Sequence, residues 1–471
     1  TVNIPVANPN NYGDPKVAMN AQDGFGAVAP WSTTFSQPVK PTTVVAGSTV
    51  RVFQVTLSGP GGGVTGVTRE LVPNVDYVAT LASSTALAIV PLKPLQQLTS
   101  YMAVLTDYIT DSRGNDTTPD QTYFLTQKRA PLCVNGVSTE PLLPNATACA
   151  LEPLRQLTNS QEAAAAAAGV NRDDIVLTWV ATVQSITPVL GAVQARTAAT
   201  PATAIQIAPT GLTLAQINPA LPPIADVYVG SLDLPYYPSA PTASECTATT
   251  ACPPLTKFWR AAPGAYPPPL QGQLDPTSTF VTYVNPLPIA TSTQKVPLVL
   301  TIPNAASGKT RPPAGWPIVI FQHGITRNRT DAFAVAGTLA SQGFAVIAID
   351  APLHGLTSAS PLYASLGSTE RTFNIDLINN TTGASGPDGV PDPSGTNFIN
   401  LPSLLTSRDN IREAVADLMQ LVRAIPGATA GSNNFDSTRI GFVGQSLGGI
   451  IGTVFMGVNP TVKTALLNVP G

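Results

Sequence analysis

Between about residues 35 and 124, apolar and polar positions alternate with a period near two. The segment 48–57 reads STVRVFQVTL, and 75–81, 85–92 and 100–106 repeat the pattern, each bounded by Pro, Gly or Asn. Short alternating runs with turn residues between them predict a β-sandwich, since each strand has one face to bury and one to solvate. The stretch LTSYMAVLTDYITDSRGN at 98–115 looks like an edge of bacterial Ig-like modules, so residues 1–130 are expected to form an Ig-like sandwich.

Residues 131–222 are mixed. A helix is expected from about 151 through the polyalanine tract to 168, because alanine has the highest intrinsic helix propensity, and a strand at 174–183. This region reads as a connecting and packing layer. After Pro223 the period changes. Nearly continuous apolar runs at 226–234, 296–302, 318–322, 345–349, 440–443 and 464–469 alternate with helical stretches at 331–342 and 408–425. The second helix has Ser407 as its expected N-cap, Asp409 in its first turn and Pro426 beyond its end. Strands apolar on both faces and alternating with helices predict a parallel α/β sheet over 223–471.

A chain of 471 residues exceeds what one core usually holds. Charged residues are only 11 % and the net charge is −3, which excludes the basic surface that nucleic-acid binding needs. The 47 prolines favour loop-rich sheets over a helical bundle. Four cysteines fall as close pairs, Cys133 with Cys149 and Cys246 with Cys252, without nearby His or CxxC spacing. Local disulfides and an oxidising compartment fit them. No apolar run is long enough to span a bilayer, and the start at Thr1, without a signal-peptide core, reads as processed or trimmed.

The sharpest chemical signal is Gly444-Gln445-Ser446-Leu447-Gly448, set between the apolar run 440–443 and the small-residue helix start Gly448-Gly449-Ile450-Ile451-Gly452. This is the setting of a nucleophile elbow, in which a strained strand-to-helix turn presents the serine hydroxyl at a helix N-terminus. The flanking glycines are needed where backbones approach too closely for a Cβ. A second signal, Gln322-His323-Gly324-Ile325, ends the strand 317–322. In this geometry the loop after that strand gives one backbone N–H to an oxyanion and the residue after the nucleophile gives the other, here Ile325 and Leu447. His323 itself is expected only to bond locally.

His354, in Asp350-Ala351-Pro352-Leu353-His354-Gly355, precedes Ser446, whereas the triad order on this fold is Ser, acid, His. His354 and Asp350 are therefore read as turn and pocket-wall residues. With only two histidines in the chain, the acid and the base are expected in a C-terminal segment or fragment beyond residue 471. The oxygen-rich stretch 379–395 is read as a solvated loop and not a calcium site, and Tyr228, Tyr236, Tyr237 and Trp259 as packing residues. No metal or cofactor is implied.

The chain resembles Gram-negative extracellular lipases and surface lysophospholipases in which a bacterial virulence-factor lipase N-terminal region precedes an α/β-hydrolase domain. The resemblance is carried by NIPVANPNNYGDPKVAMNAQDGF, AGSTVRVFQVTL, TALAIVPLKPL, LEPLRQLTNSQEAAAAAAGVNRDDIVLTW, QHGITRNR, DPSGTNFINL, SRDNIREAVADL and GFVGQSLGG. It implies hydrolysis of acyl esters in lipids or lysophospholipids, with Ser446 at the position of the family nucleophile, in a secreted or outer-membrane surface protein. Three other readings stay open: a polyester or short-chain esterase, which acyl-chain profiling would separate; a peptidase; and a non-catalytic surface protein with a relic hydrolase half. The intact elbow and QHG loop argue against the last, since strain is retained where it is used.

Overall fold

The structure is a computed structural model that describes residues 4–242, 245–246, 252–266 and 274–471. Its contacts divide it into two compact units, Gln22–Ile186 and residues 4–21 with Thr187–Gly471. The division therefore falls at 186 and not at the expected 130 and 222.

In the first unit, Trp31–Thr34, Ala86–Pro91 and Tyr77–Ser83 form a three-stranded antiparallel sheet. Val64–Glu70, Val50–Leu57, Ser100–Thr106 and Ile175–Thr182 form a four-stranded one. The four strands read from the alternation are present. Because side chains alternate across a strand, Val50, Val52, Tyr101, Ala103 and Leu105 share a core with Tyr77, Leu87 and Ile89 of the smaller sheet. Phe53, Val55, Met102 and Val104 point the other way, onto Ala164 and Ala165 of the helix Asn145–Ala167. Ser100–Thr106 is consequently buried along its whole length. The polyalanine helix thus completes this unit, its small side chains lying on the sheet. Cys133 and Cys149 are disulfide-bonded, tying the hairpin at Cys133–Val134 to the first turns of that helix.

The second unit is built on an eight-stranded sheet. Its order is Ile205–Thr213, Ala225–Tyr236, Ser292–Pro303, Ala345–Ile349, Trp316–Gln322, Asn433–Gln445 and Thr464–Asn468, with the short Thr429–Ala430 also against Asn433–Gln445. The sheet is mixed, which corrects the expectation of a parallel one. The last four long strands run parallel, whereas Ile205–Thr213, Ala225–Tyr236 and Ser292–Pro303 join antiparallel. The strands Trp316–Gln322 and Ala345–Ile349 exchange places relative to chain order.

Alternate residues of the central strands go to opposite faces. Leu298, Leu300, Ile318, Ile320, Ile347 and Ile349 meet the helices Leu404–Ala424 and Leu447–Val458. Val299, Phe321, Val346 and Ala348 meet Phe333, Ala336 and Ala340 of Phe333–Ser341. Both faces are covered, as the apolar runs require. The helix expected at 408–425 begins a turn earlier, with Ser403 at its N-cap. Ser407 is spent elsewhere: its hydroxyl bonds both the N–H and the carbonyl of Asn400. Among the described residues no helix is long and apolar enough to cross a membrane.

Candidate active site

Ser446 stands between the strand Asn433–Gln445 and the helix Leu447–Val458, at φ 53° and ψ −118°. A non-glycine residue rarely adopts such a backbone, so the surroundings must hold it there. Part of the hold is the neighbouring strand, whose Asn468 carbonyl accepts the Ser446 N–H at 2.9 Å. The rest is close packing. A Cβ on Gly444 would lie 2.2 Å from the Gly448 carbonyl oxygen, and one on Gly448 would lie 2.1 Å from the oxygen of Gln322. Neither position has room for a side chain. Ser446 is half-buried, and Leu447, as first residue of the helix, leaves its N–H without an intrahelical acceptor.

The loop after Trp316–Gln322 arrives at the same point. A Cβ built on Gly324 would sit 3.2 Å from Ser446 Cβ and 3.7 Å from its Oγ, so the absent side chain leaves the hydroxyl uncovered on that side. The Gly324–Ile325 peptide and the first turn of the elbow helix are therefore brought together.

Neither histidine is available to take a proton from Ser446. His323 is fully buried, with Nδ1 2.8 Å from the Gly324 carbonyl and Nε2 accepting the Ala351 N–H at 3.0 Å. His354 is also fully buried: Nδ1 lies 2.9 Å from the Pro352 carbonyl, and its ring packs against His323 and Phe398. Its Nε2 faces Gly395, where an added Cβ would come within 2.0 Å. Burial, with the neighbouring His323, pushes His354 down to about 3, so its ring stays neutral.

Sequence reasoning missed what holds this loop. Arg329, Asp350 and Glu370 are buried together. The Arg329 guanidinium bonds Asp350 and both oxygens of Glu370, the latter at 2.7 Å each, and its backbone N–H donates to Asp350 at 2.5 Å. Glu370 also accepts the N–H groups of Leu356 and Ala364. Burial alone would raise the Asp350 carboxyl, but the charge of Arg329 and the hydrogen bonds it donates bring it below its ordinary value. Asp350 is thus a mount for the loop after Trp316–Gln322. Arg329 lay within the QHGITRNR segment, but its partners are 21 and 41 residues away, beyond any local pattern.

Tyr236 and Trp259 are fully buried, and Tyr237 stacks edge-on against Trp259. In the oxygen-rich loop, Asp376, Asp388 and Asp392 each accept backbone N–H groups. Among the described residues no cluster of three or more metal-binding side chains occurs. Cys246 and Cys252 form the second disulfide.

Sheet order, strained elbow and the glycine loop beside it define an α/β-hydrolase. Residues 3–210 match the family described as bacterial virulence factor lipase N-terminal, and residues 289–369 match platelet-activating factor acetylhydrolase, isoform II. Residues 3–210 thus carry the N-terminal region of that lipase family. Among curated proteins, none matches. Solved structures similar to it include a protein of Klebsiella pneumoniae subsp. pneumoniae MGH 78578 assigned as a dienelactone hydrolase, with 18 % identity over 37 % of this chain and 54 % of that one, at a TM-score of 0.23. A ferulic acid esterase from Streptomyces cinnamoneus shows 16 % identity over 36 % of this chain and 50 % of its own, at 0.22. The thioesterase domain from the curacin biosynthetic pathway shows 18 % over 37 % and 40 %, at 0.20. The chain thus spans about half or less of the solved structures it matches.

Proposed function

We propose that this chain carries the nucleophile of a secreted or surface-exposed serine ester hydrolase acting on acyl esters of lipids or lysophospholipids. Ser446 Oγ attacks the ester carbonyl, and the N–H groups of Ile325 and Leu447 receive the oxyanion. The acyl-enzyme that forms is released by water. Because both ring nitrogens of His323 are engaged and His354 is closed off by Gly395, the proton goes to a histidine outside these 471 residues, in a C-terminal segment or associated fragment of the same protein that also brings the acid. The two disulfides and the family match support an extracellular setting. We read the first unit as an Ig-like module for surface display.

The observation that carries this reading is the strained Ser446 backbone with Gly324 packed against its side chain. Assaying the complete protein on acyl esters of graded chain length tests it. Ser446→Ala is expected to lose activity by several orders of magnitude, and a preference for long acyl chains separates a lipase from a short-chain or polyester esterase. Full activity in Ser446→Ala refutes the assignment.

A further inference from the structure

His323 directly follows the strand Trp316–Gln322 and is fully buried, and its two nitrogens make bonds of opposite sense. Nε2 accepts the Ala351 N–H at 3.0 Å. An accepting nitrogen bears no proton, so in the neutral ring the proton is on Nδ1, which lies 2.8 Å from the Gly324 carbonyl oxygen. That carbonyl also accepts the Arg327 N–H at 3.3 Å. Gly324 C=O and Ile325 N–H belong to one peptide unit, which is planar and trans, so fixing the direction of the carbonyl fixes the N–H pointing the opposite way. Glycine otherwise allows that plane to turn at little cost.

We propose that His323 is the positioning residue of the oxyanion loop: its Nδ1–H holds the Gly324–Ile325 peptide plane and so keeps the Ile325 N–H aimed into the space beside Ser446. This rests on the function proposed above. The ring neither touches the reacting atoms nor moves a proton. Its tautomer is set from the adjacent strand, because Ala351 follows directly on Ala345–Ile349 and Asp350. Asp350 Oδ1 lies 3.6 Å from Nε2, beyond hydrogen-bond distance, and accepts the Arg329 N–H instead. Burial lowers the imidazole's proton affinity and Asp350 only partly offsets this, with Asp331, Arg329 and His354 as the other charged or titratable neighbours. The ring therefore remains a neutral donor.

The test compares His323→Leu, His323→Asn and Ser446→Ala in the complete protein. Asn can place its amide near the Nδ1 position and donate to Gly324, but it cannot act as a base. Leu is expected to lower kcat about 100- to 1,000-fold with KM nearly unchanged, the size of losing one oxyanion donor, and Asn to recover most of the loss. If Asn is as impaired as Leu, or if neither lowers kcat while Ser446→Ala is inactive, the positioning role is overturned and the nucleophile assignment stands. If Ser446→Ala keeps its activity, both fall. Nitrogen-15 NMR of the unmutated protein gives a readout independent of any variant's folding. His323 should show a protonated Nδ1 and bare Nε2 from pH 8 down to about pH 5, the range in which ordinary histidines titrate. The opposite tautomer, or an imidazolium at neutral pH, overturns the proposal.

Discussion

Two buried clusters in the second unit contain the same charges, one arginine and two carboxylates, yet resolve them in opposite ways. In the first, Arg329 sits between Asp350 and Glu370, and the excess negative charge is met by backbone N–H groups of Arg329, Leu356 and Ala364. In the second, Arg371 Nη1 lies 2.8 Å from Asp417, but no guanidinium nitrogen makes a well-directed hydrogen bond among the described residues. Glu413 accepts the Trp259 indole N–H at 2.8 Å, while its approach to the Tyr237 N–H is a long 3.4 Å. Burial accordingly raises Glu413 well above its ordinary value, with Asp417 adding to the effect, and lifts Asp417 to about 6 against the pull of Arg371. Charge inventory alone does not decide whether a buried carboxylate keeps its charge; the supply of donors does.

The sharpest way to break this comparison is to remove each cation. Arg329→Met leaves Asp350 and Glu370 uncompensated and is expected to cost about 3–5 kcal/mol in urea unfolding of the second unit. Arg371→Met should cost less than half of that at pH 5, since its carboxylates already tend to take up protons. Equal costs would erase the distinction. Asp350→Asn keeps the shape but loses a charge-assisted bond, and about 1.5–3 kcal/mol is expected.

The pH dependences should oppose each other. Asp350 is held below its ordinary value, so its contribution is present above about pH 4 and lost as pH falls further. Asp417 in the folded protein, at about 6, lies above the unfolded value of about 3.9. The folded state thus holds an extra proton between those values; that contribution is full below about pH 4, fades as pH rises through about 6, and is absent above. Asp417→Asn should flatten the stability profile between pH 4 and about 7. An unchanged slope would move its origin elsewhere. The smallest effect is expected for Glu413→Gln, a neutral isostere of a protonated acid, within about 1 kcal/mol near pH 7. A large loss there would mean that Glu413 is ionised in the folded protein.

The same contrast shows what the sequence could reveal. The elbow was legible because Gly444 through Gly448 are adjacent in the chain and their close packing demands glycine in a fixed spacing. The core strands were legible because burial on one or both faces writes a period into the sequence. Strand Val64–Glu70, VTGVTRE, is half-exposed throughout and carries no clear alternation, and Ile205–Thr213 contains Pro209 and Gly211 with a register shift. Both escaped notice. So did the boundary at 186, because Ile175–Thr182 joins a sheet whose other strands lie some 70 residues or more upstream. The Arg329 mount depends on partners 21 and 41 residues away, which leave no local pattern, whereas the bond of His323 to the adjacent Gly324 carbonyl is local.

The central claim is that Ser446 is the attacking group. Mass-spectrometric mapping of the complete protein after a fluorophosphonate probe tests it most directly. The account predicts one modified residue, Ser446, together with loss of esterase activity. Modification of a different serine, or esterase activity that survives stoichiometric labelling of Ser446, would contradict it.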